Sequence, residues 1–310
     1  MKIKDLRDRM STNLQLMVSQ VNQGVTNSGA PYLSITFKDN TGTIEGKLWD
    51  VKASQIATAV VGRILDVRCD VINYRNNLQL KVLEIEPADE SMIDMEDYVQ
   101  MGPVAQSVLR ETITNAIESI DDFQLKAIVS SIFHKYDREI FSYPAAARNH
   151  HEYYGGLATH VYGMVRLADE VCRLYPQLNR DLLVSGVLLP DVGKIRELRS
   201  GAVTEYTVEG RLLGHISISQ AMIKETADEL GIEGEKVTLL RHLVLSHHGQ
   251  YEFGSPVLPC ILEAEALHYI DDFDARMTMI AKETDKINPG EFTPRLFALD
   301  NRAFYKPKGQ

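Results

Sequence analysis

Residues 31–49, PYLSITFKDNTGTIEGKLW, decide the fold of the first part of the chain. Apolar and polar residues alternate through Leu33, Ile35 and Phe37, and they alternate again after the turn. A period of two is typical of β-strands with one buried face. Asp39-Asn40-Thr41-Gly42 has the composition of a tight turn. The stretch therefore predicts a β-hairpin.

The same alternation continues on both sides of this hairpin, from residue 14 to residue 86, with one helical stretch from Val51 to Val60. The predicted order is strand, strand, strand, helix, strand, strand. That order is typical of the OB-fold, a five-stranded barrel that commonly binds single-stranded nucleic acid. Residues 1–88 are predicted to form such a domain.

Aromatic and basic side chains of the predicted barrel are candidates for contact with RNA, because bases stack on aromatic rings and cationic side chains meet phosphates. For Trp49 the alternative is a place at the end of the barrel or in a domain contact. The candidates are Tyr32, Lys38, Lys47, Trp49, Tyr74 and Arg75.

The periodicity changes beyond a linker at 89–103 that is rich in acidic residues and methionine. Apolar residues then recur at helical spacing, as at Ile113 and Ile117, until about residue 285. Residues 104–287 are therefore predicted to form an all-helical domain, followed by a C-terminal tail at 288–310. The expected fold class is multidomain, with β structure first and α structure second.

The overall composition is that of a globular protein, with 310 residues, 44% of them hydrophobic, and a net charge of -10. No apolar run approaches the roughly 20 residues of a membrane span, and the three cysteines form no CxxC pair. We therefore expect a cytoplasmic protein. Residues 1–90 hold 11 basic and 11 acidic residues, so the whole excess of ten acids lies in 91–310. Such an acidic domain needs metal ions before it can accept a phosphate substrate.

All nine histidines lie beyond residue 133, most of them near carboxylates in the sequence. Imidazole and carboxylate groups are ligands for divalent cations, and helical domains build metal sites from ligands on separate helices. One histidine alone is more often structural, but a cluster of this size predicts a metal centre. The residues concerned are His150, His151, His160, His215, His242, His247, His248 and His268, with Asp191, Asp271 and Asp272.

Five segments with these residues occur in a fixed order, and together they resemble the HD-domain metal phosphohydrolases. With the OB-like part and the closing FALDNR at 297–302, the chain is similar over nearly its whole length to bacterial YhaM-type 3′-to-5′ exoribonucleases. The five segments are GGLATH at 155–160, GVLLPDVGK at 186–194, LGH at 213–215, LSHHG at 245–249 and LHYID at 267–271.

The resemblance implies a metal-dependent exonuclease of single-stranded RNA, with single-stranded DNA as a further substrate class, that works as a homo-oligomer. It implies up to two divalent cations per chain, which together stabilise charge on a phosphodiester. Manganese is expected, with cobalt, iron(II) and zinc as alternatives. The implied ligands are His160 and Asp271 in one site, His215 with His247 or His248 in the other, and Asp191 as the bridge between them.

For several neighbouring residues the sequence allows two alternatives. Asp271 is preferred to Asp272 as a ligand, because it occupies the position of the family's last acid. Lys194 could donate to a phosphate, and a solvent-facing lysine is the alternative. His150 and His151 could contact the substrate phosphate or ribose, and a structural role is the alternative.

Pro190 departs from the family pattern, which has histidine immediately before the bridging acid. Proline supplies no ligand, and it tends to end a helix because it lacks an N–H. One metal site would keep only His160, Asp191 and Asp271, so we expect reduced or lost hydrolysis. The alternatives to the exoribonuclease are an HD nucleotidase acting on mononucleotides and a non-catalytic scaffold that binds nucleic acid.

Overall fold

A computed structural model describes residues 1–26, 29–75, 77–89, 93, 95–99, 102–145, 153–199 and 204–309. The chain divides into two compact units, one made mainly of Met1–Met101 and the other of Gly102–Arg199 with Glu205–Gln310. Each unit has a hydrophobic core of its own. His150 and His151 lie outside the described residues.

Five strands and one short helix make up the first unit. They are β1 (Ser11–Val25), β2 (Pro31–Asp39), β3 (Gly42–Trp49), α1 (Ala53–Thr58), β4 (Ile64–Tyr74) and β5 (Asn77–Pro87). The strands close into a barrel in the order β1-β2-β3-β5-β4, with β1 also paired to β4. All pairs are antiparallel except β3 with β5. The predicted OB-fold is confirmed.

Alternate residues of each strand fill the barrel, as a period of two requires. Leu33, Ile35 and Phe37 of β2 are at most 2% exposed. Gly46 of β3 faces the same core, where a Cβ atom would lie 2.7 Å from the Phe37 ring. Glycine at this position therefore lets β3 approach the aromatic side chain closely.

Nine helices and one small hairpin make up the described part of the second unit, in agreement with the predicted helical domain. The helices are α2 (Gln106–Glu118), α3 (Phe123–Lys135), α4 (Asp137–Ser142), α5 (Gly156–Leu174), α6 (Arg180–Leu188), α7 (Lys194–Glu197), α8 (Val208–Glu229), α9 (Glu235–Ser246) and α10 (Leu262–Asp285). The hairpin strands are β6 (Leu198–Arg199) and β7 (Glu205–Tyr206).

Polar side chains begin several of these helices. Asp122, Asn179 and Thr207 each accept hydrogen bonds from free backbone N–H groups in the first turn of α3, α6 and α8. Helix α6 is buried at every position from Leu182 to Leu188, so it is the central helix of the unit. The turn that follows this apolar helix therefore lies in the interior of the unit.

Two backbone features shape the region that follows α6. This helix ends at Leu188, two residues before Pro190, whose ring nitrogen cannot donate a helical hydrogen bond. Gly214 interrupts α8 with a φ of 71°, a left-handed conformation that glycine adopts without steric cost. The interruption lies immediately before His215.

The C-terminal tail pairs with itself through antiparallel bridges from Phe292 to Tyr305 and from Leu296 to Arg302. Among the described residues, none of the helices combines the length and the apolar character that crossing a membrane requires.

Candidate metal centre

Asp191 lies in the turn between α6 and α7 and is 1% exposed. Its two carboxylate oxygens face different partners. Oδ2 lies 3.4 Å from Nε2 of His160, and Oδ1 lies 3.4 Å from Nε2 of His215 and 3.8 Å from Nε2 of His247. This carboxylate therefore stands between two sets of side chains.

The two sets have the composition of metal-ligand groups. His160 of α5, Asp191 and Asp271 of α10 place one ligand atom each within 4.8 Å of one another. His215, His247 and His248 do the same. Helices and turns distant in sequence thus bring together the candidate ligands that the resemblance implied. Both His247 and His248 lie in the second group, and Asp271 rather than Asp272 lies in the first.

Three imidazoles are oriented by acceptors at their Nδ1 atoms. A carbonyl or carboxylate oxygen can only accept, so each Nδ1 carries the hydrogen and each Nε2 of a neutral ring keeps its lone pair. The pairs are His215 with Oε1 of Glu197 at 3.3 Å, His247 with the Val244 carbonyl at 2.6 Å and His248 with the Phe253 carbonyl at 2.7 Å.

His160 is held between two carboxylates of α10. Its Nδ1 lies 2.6 Å from Oδ2 of Asp274 and its Nε2 lies 2.9 Å from Oδ1 of Asp271. Burial alone lowers the pKa of this imidazole, but the hydrogen bonds to both acids and the charge of Asp191 raise it to about 10. The proton on Nε2 of His160 thus offsets the negative charge of the nearby carboxylates. A bound cation would offset the same charge in place of this proton.

Three buried polar atoms test whether these residues fit a metal. Oδ1 of Asp191, Nε2 of His215 and Nε2 of His247 have no hydrogen-bond partner among the residues that the structure describes. Such atoms are rare in folded proteins and call for a ligand. Burial, and then the charge of His248, lower the pKa of His247 to about 3, so this ring stays neutral. The group fits a divalent cation with imidazole and carboxylate ligands.

Asp191 also contacts Lys194. The Lys194 ammonium lies 2.7 Å from Oδ2 of Asp191, and the residue is 7% exposed, so this lysine does not face bulk solvent. Burial alone raises the pKa of the Asp191 carboxyl, but the charge of Lys194 and the nearby imidazoles hold it well below its ordinary value. The carboxylate therefore stays ionised.

Pro190 contributes only its backbone carbonyl, which accepts a hydrogen bond from the Ser219 hydroxyl at 2.8 Å. The same hydroxyl accepts from the Gly193 amide at 2.8 Å. A Cβ atom at Gly193 would lie 2.4 Å from the His215 carbonyl. Ser219 and Gly193 together fix the turn that carries Asp191 against α8.

A cavity of about 440 Å³ opens beside the two groups. The residues that line it include His215, His248 and Asp271, together with Tyr206 and Phe253. A volume of this size is typical of sites for small ligands. The candidate metal ligands are therefore reachable by a substrate.

The barrel candidates form two clusters. The rings of Tyr32 and Trp49, paired across β2 and β3, have centroids 5.0 Å apart, and the Lys47 ammonium lies 5.3 Å from the Tyr32 centroid. The Arg75 guanidinium lies 5.2 Å from the Tyr74 centroid. Trp49 is 47% exposed, so a base could stack on it.

Sequence reasoning missed three residues that orient this centre, namely Asp274, Glu197 and Ser219. Two of them could have been found from helical spacing, because Asp274 follows Asp271 by three residues and Glu197 follows Lys194 by three. Residues three apart share a helix face. Ser219 gave a weaker signal, because it follows His215 by four residues on α8 but only the packing of α8 brings its hydroxyl to the Asp191 turn.

The fold and the site define a protein in which an OB-fold barrel precedes an HD domain. Family models support both parts, since an OB-fold nucleic acid binding domain matches residues 13–88 and an HD domain matches residues 157–276.

Relatives match the whole arrangement. The chain is 44% identical over 296 residues to "3'-5' exoribonuclease YhaM" of Geobacillus sp. (strain WCH70), covering 95% of this chain and 91% of the relative. It is 43% identical over 293 residues to the protein of the same name from Bacillus subtilis (strain 168), covering 94% and 93%. The chain belongs to the YhaM family of 3′-5′ exoribonucleases.

Proposed function

We propose that this chain is a divalent-metal-dependent 3′-to-5′ exoribonuclease that hydrolyses single-stranded RNA. One observation carries the proposal: the two oxygens of the buried Asp191 face two separate groups of candidate ligands, and three ligand atoms there have no hydrogen-bond partner within the described part of the chain. That arrangement suits a bridging carboxylate in a pair of cation sites. Membership of the YhaM family supports the same activity.

His160, Asp191 and Asp271 would hold one cation, and His215, His247, His248 and Asp191 the other. When bound, such cations polarise a phosphodiester, activate water and stabilise the leaving 3′ oxygen. The residues around the ligands orient them and balance their charge. Asp274 and Glu197 hold His160 and His215, while the Lys194 ammonium offsets the charge of Asp191 and lines the cavity that admits the phosphate.

Pro190 weakens the first of these sites in our proposal, because three side chains remain where the family pattern supplies four. Manganese is the metal we expect from the family resemblance; the carboxylates suit this ion, and the imidazoles also suit the alternatives iron(II), cobalt and zinc. Elemental analysis of protein purified without chelator should find nearer one ion per chain than two. Pro190→His should raise the metal content and the rate of hydrolysis.

The barrel supplies RNA affinity in this proposal through Tyr32, Lys47 and Trp49, with Tyr74 and Arg75 as a second contact. Stacking and phosphate contacts do not distinguish one base from another or ribose from deoxyribose, so single-stranded DNA should bind as well. His150 and His151 keep their predicted substrate role as part of the same proposal. The three unpaired cysteines suit the reducing cytoplasm in which we place the activity.

Self-association is also part of the proposal, because α10 has an exposed apolar stripe with helical spacing. Leu262, Tyr269, Phe273 and Met277 are each between 46% and 63% exposed. A stripe of this kind is what helix pairing between two copies buries. Light scattering on the intact chain should find an oligomer, and Tyr269→Glu with Phe273→Glu should give monomer. A native chain that is monomeric at micromolar concentration contradicts this part.

The test of the activity is an assay on RNA labelled at its 5′ end, with added Mn²⁺. Products should shorten stepwise from the 3′ end. Asp191→Asn should abolish hydrolysis, and Asp285→Asn, an exposed acid at the end of α10, should leave it unchanged.

Three other results would contradict the proposed activity or favour one of its alternatives. A label released at once from the 5′ end excludes a 3′-to-5′ direction. Turnover of mononucleotides that does not increase with strand length favours the nucleotidase. Failure of both the native chain and Pro190→His to cleave RNA or nucleotides favours a binding scaffold.

A further inference from the structure

Two aromatic side chains stand on the wall of the cavity beside the ligand groups. Tyr206 and Phe253 are 48% and 54% exposed, although each has a large apolar surface. We propose that these rings stack against the base of the 3′-terminal nucleotide, so that the cavity is a one-nucleotide subsite. The inference rests on the proposed nuclease function and adds the residues that receive the base.

The position of Phe253 relative to the ligands supports this assignment. Its carbonyl accepts the hydrogen bond from Nδ1 of His248 at 2.7 Å. The backbone amide of His248 donates to the Ser255 hydroxyl at 3.1 Å. The short helical turn Tyr251–Phe253 thus orients a candidate metal ligand with its backbone and lines the same cavity with its ring.

The end of this turn is also fixed. Gly254 follows with a φ of 95°, a conformation that a residue with a side chain rarely adopts, and its amide donates to the Tyr251 carbonyl. A rigid turn costs little conformational entropy when it meets a ligand. The backbone that carries the Phe253 ring is therefore fixed before a base binds.

Tyr206 reaches the cavity from a different element. It ends β7, where it pairs with Leu198 of β6, and Leu198 follows directly after Glu197, the residue that orients His215. Each aromatic residue is thus connected through a few backbone atoms to the orientation of one candidate ligand. A base between these rings and a phosphate at the ligands would belong to the same nucleotide.

Two polar side chains on the cavity wall, Arg276 and Asp272, pair with each other. The Nε atom of Arg276 lies 2.8 and 2.7 Å from the two oxygens of Asp272, and its Nη1 lies 3.6 Å from Oδ2 of Asp300. Because this pair is already engaged, we assign recognition of the base in this proposal to stacking, which every base supports. All four nucleotides should therefore bind, with purines tighter because their rings are larger.

A tryptophan reporter tests the subsite without cleavage. The chain has a single tryptophan, Trp49, in the other unit. In a Trp49→Phe background, Phe253→Trp places the only indole in the cavity. With Mn²⁺ present, AMP should quench its fluorescence saturably, and ribose 5-phosphate, which has no base, should not. Tyr251→Trp is the matched control, because Tyr251 belongs to the same turn and is 63% exposed but is not among the cavity-lining residues.

The second measurement is steady-state hydrolysis by Phe253→Leu. This variant keeps the backbone carbonyl that orients His248, so its metal content should equal that of the native chain. Its KM for RNA should rise about tenfold, the loss expected from one stacked base, and Phe253→Tyr should restore most of the affinity.

Quenching by AMP that is equal for Phe253→Trp and Tyr251→Trp, or absent from both while the protein hydrolyses RNA, overturns the subsite alone. Specific quenching in a protein that hydrolyses no RNA supports the subsite and overturns the nuclease instead. The two proposals can therefore fail separately.

Discussion

Asp274 accepts a hydrogen bond from Nδ1 of His160 at 2.6 Å, from a position one helical turn beyond Asp271 on α10. The two acids thus hold opposite nitrogens of one imidazole, which is buried. A carboxylate behind a ligand histidine fixes the ring and increases its basicity. Asp274 therefore has a positioning role in the proposed first metal site, although it bears no part of the family motif.

Asp274→Asn should lower Mn²⁺ affinity by about 10- to 100-fold, because the amide is a weaker acceptor for the His160 N–H. Isothermal titration on metal-free protein measures the change. Asp285→Asn, at the exposed end of the same helix, should leave the affinity unchanged. Equal Mn²⁺ affinity in the native chain and in Asp274→Asn would contradict a positioning role for Asp274.

Gly163→Ala should have the same effect from the other side of the contact. A Cβ atom at Gly163, one turn beyond His160 on α5, would lie 2.1 Å from Oδ1 of Asp274 and push this carboxylate away. Helix propensity works in the opposite direction, since alanine favours the helix by about 1 kcal/mol over glycine. A loss of Mn²⁺ affinity therefore reports the displaced acid.

A double variant shows whether Gly163→Ala acts through Asp274 or disturbs the metal site in another way. If Gly163→Ala acts through Asp274, adding Asp274→Asn should weaken Mn²⁺ binding no further, because both changes remove one interaction. Fully additive losses would show that Gly163 affects the metal site in another way.

Ser219→Ala should destabilise the Asp191 turn, because the Gly193 amide and the Pro190 carbonyl both lose the buried hydroxyl. The expected decrease in the free energy of unfolding is about 1–3 kcal/mol, with weaker Mn²⁺ binding alongside it. Ser185→Ala is the matched control, since the hydroxyl of this buried serine donates to the Asp181 carbonyl of its own helix. Similar metal affinity in both variants would contradict a role for Ser219 in placing Asp191.

Trp49→Leu should weaken binding of single-stranded RNA by about 1–3 kcal/mol, the contribution of one stacked base, and Trp49→Phe should retain most of the affinity. Fluorescence anisotropy with a labelled oligonucleotide, in an Asp191→Asn background that prevents cleavage, gives the dissociation constants. Lys47→Gln should reduce the salt dependence of binding, with a logarithmic slope smaller by about 0.7. An unchanged dissociation constant for Trp49→Leu would place this ring outside the RNA contact.

Cys69 makes the barrel sensitive to alkaline pH. Burial, and then the charge of Asp70, raise the pKa of this thiol to about 11 from an ordinary 9.0. Between these values the folded chain keeps a proton that the unfolded chain has lost, so the free energy of unfolding falls as the pH rises. The loss by pH 10 is about 1 kcal/mol.

Urea titrations followed by Trp49 fluorescence, at pH 8 and pH 10, measure this effect. Cys69→Val has no thiol to titrate, so its loss of stability over the same interval should be smaller than that of the native chain. An equal loss in both proteins would assign the pH dependence to other groups.

The sequence by itself determined both domains, because strand and helix periodicities depend on local burial that is repeated along the chain. The alternation around Leu33 and Phe37 was sufficient for the barrel, and helical spacing was sufficient for the second domain. The motif segments also named the six residues that the structure groups as candidate ligands.

Only the tertiary structure decided what orients those residues. Asp274, Glu197 and Ser219 share a helix face with Asp271, Lys194 and His215, but which imidazole or turn each of them contacts depends on how separate elements pack. Likewise, Phe253 and Tyr206 line one cavity although about 47 residues separate them, because the turn after α9 and strand β7 meet beside the ligands. Periodicity reports which face of an element is buried, but the partner of that face depends on how the elements pack.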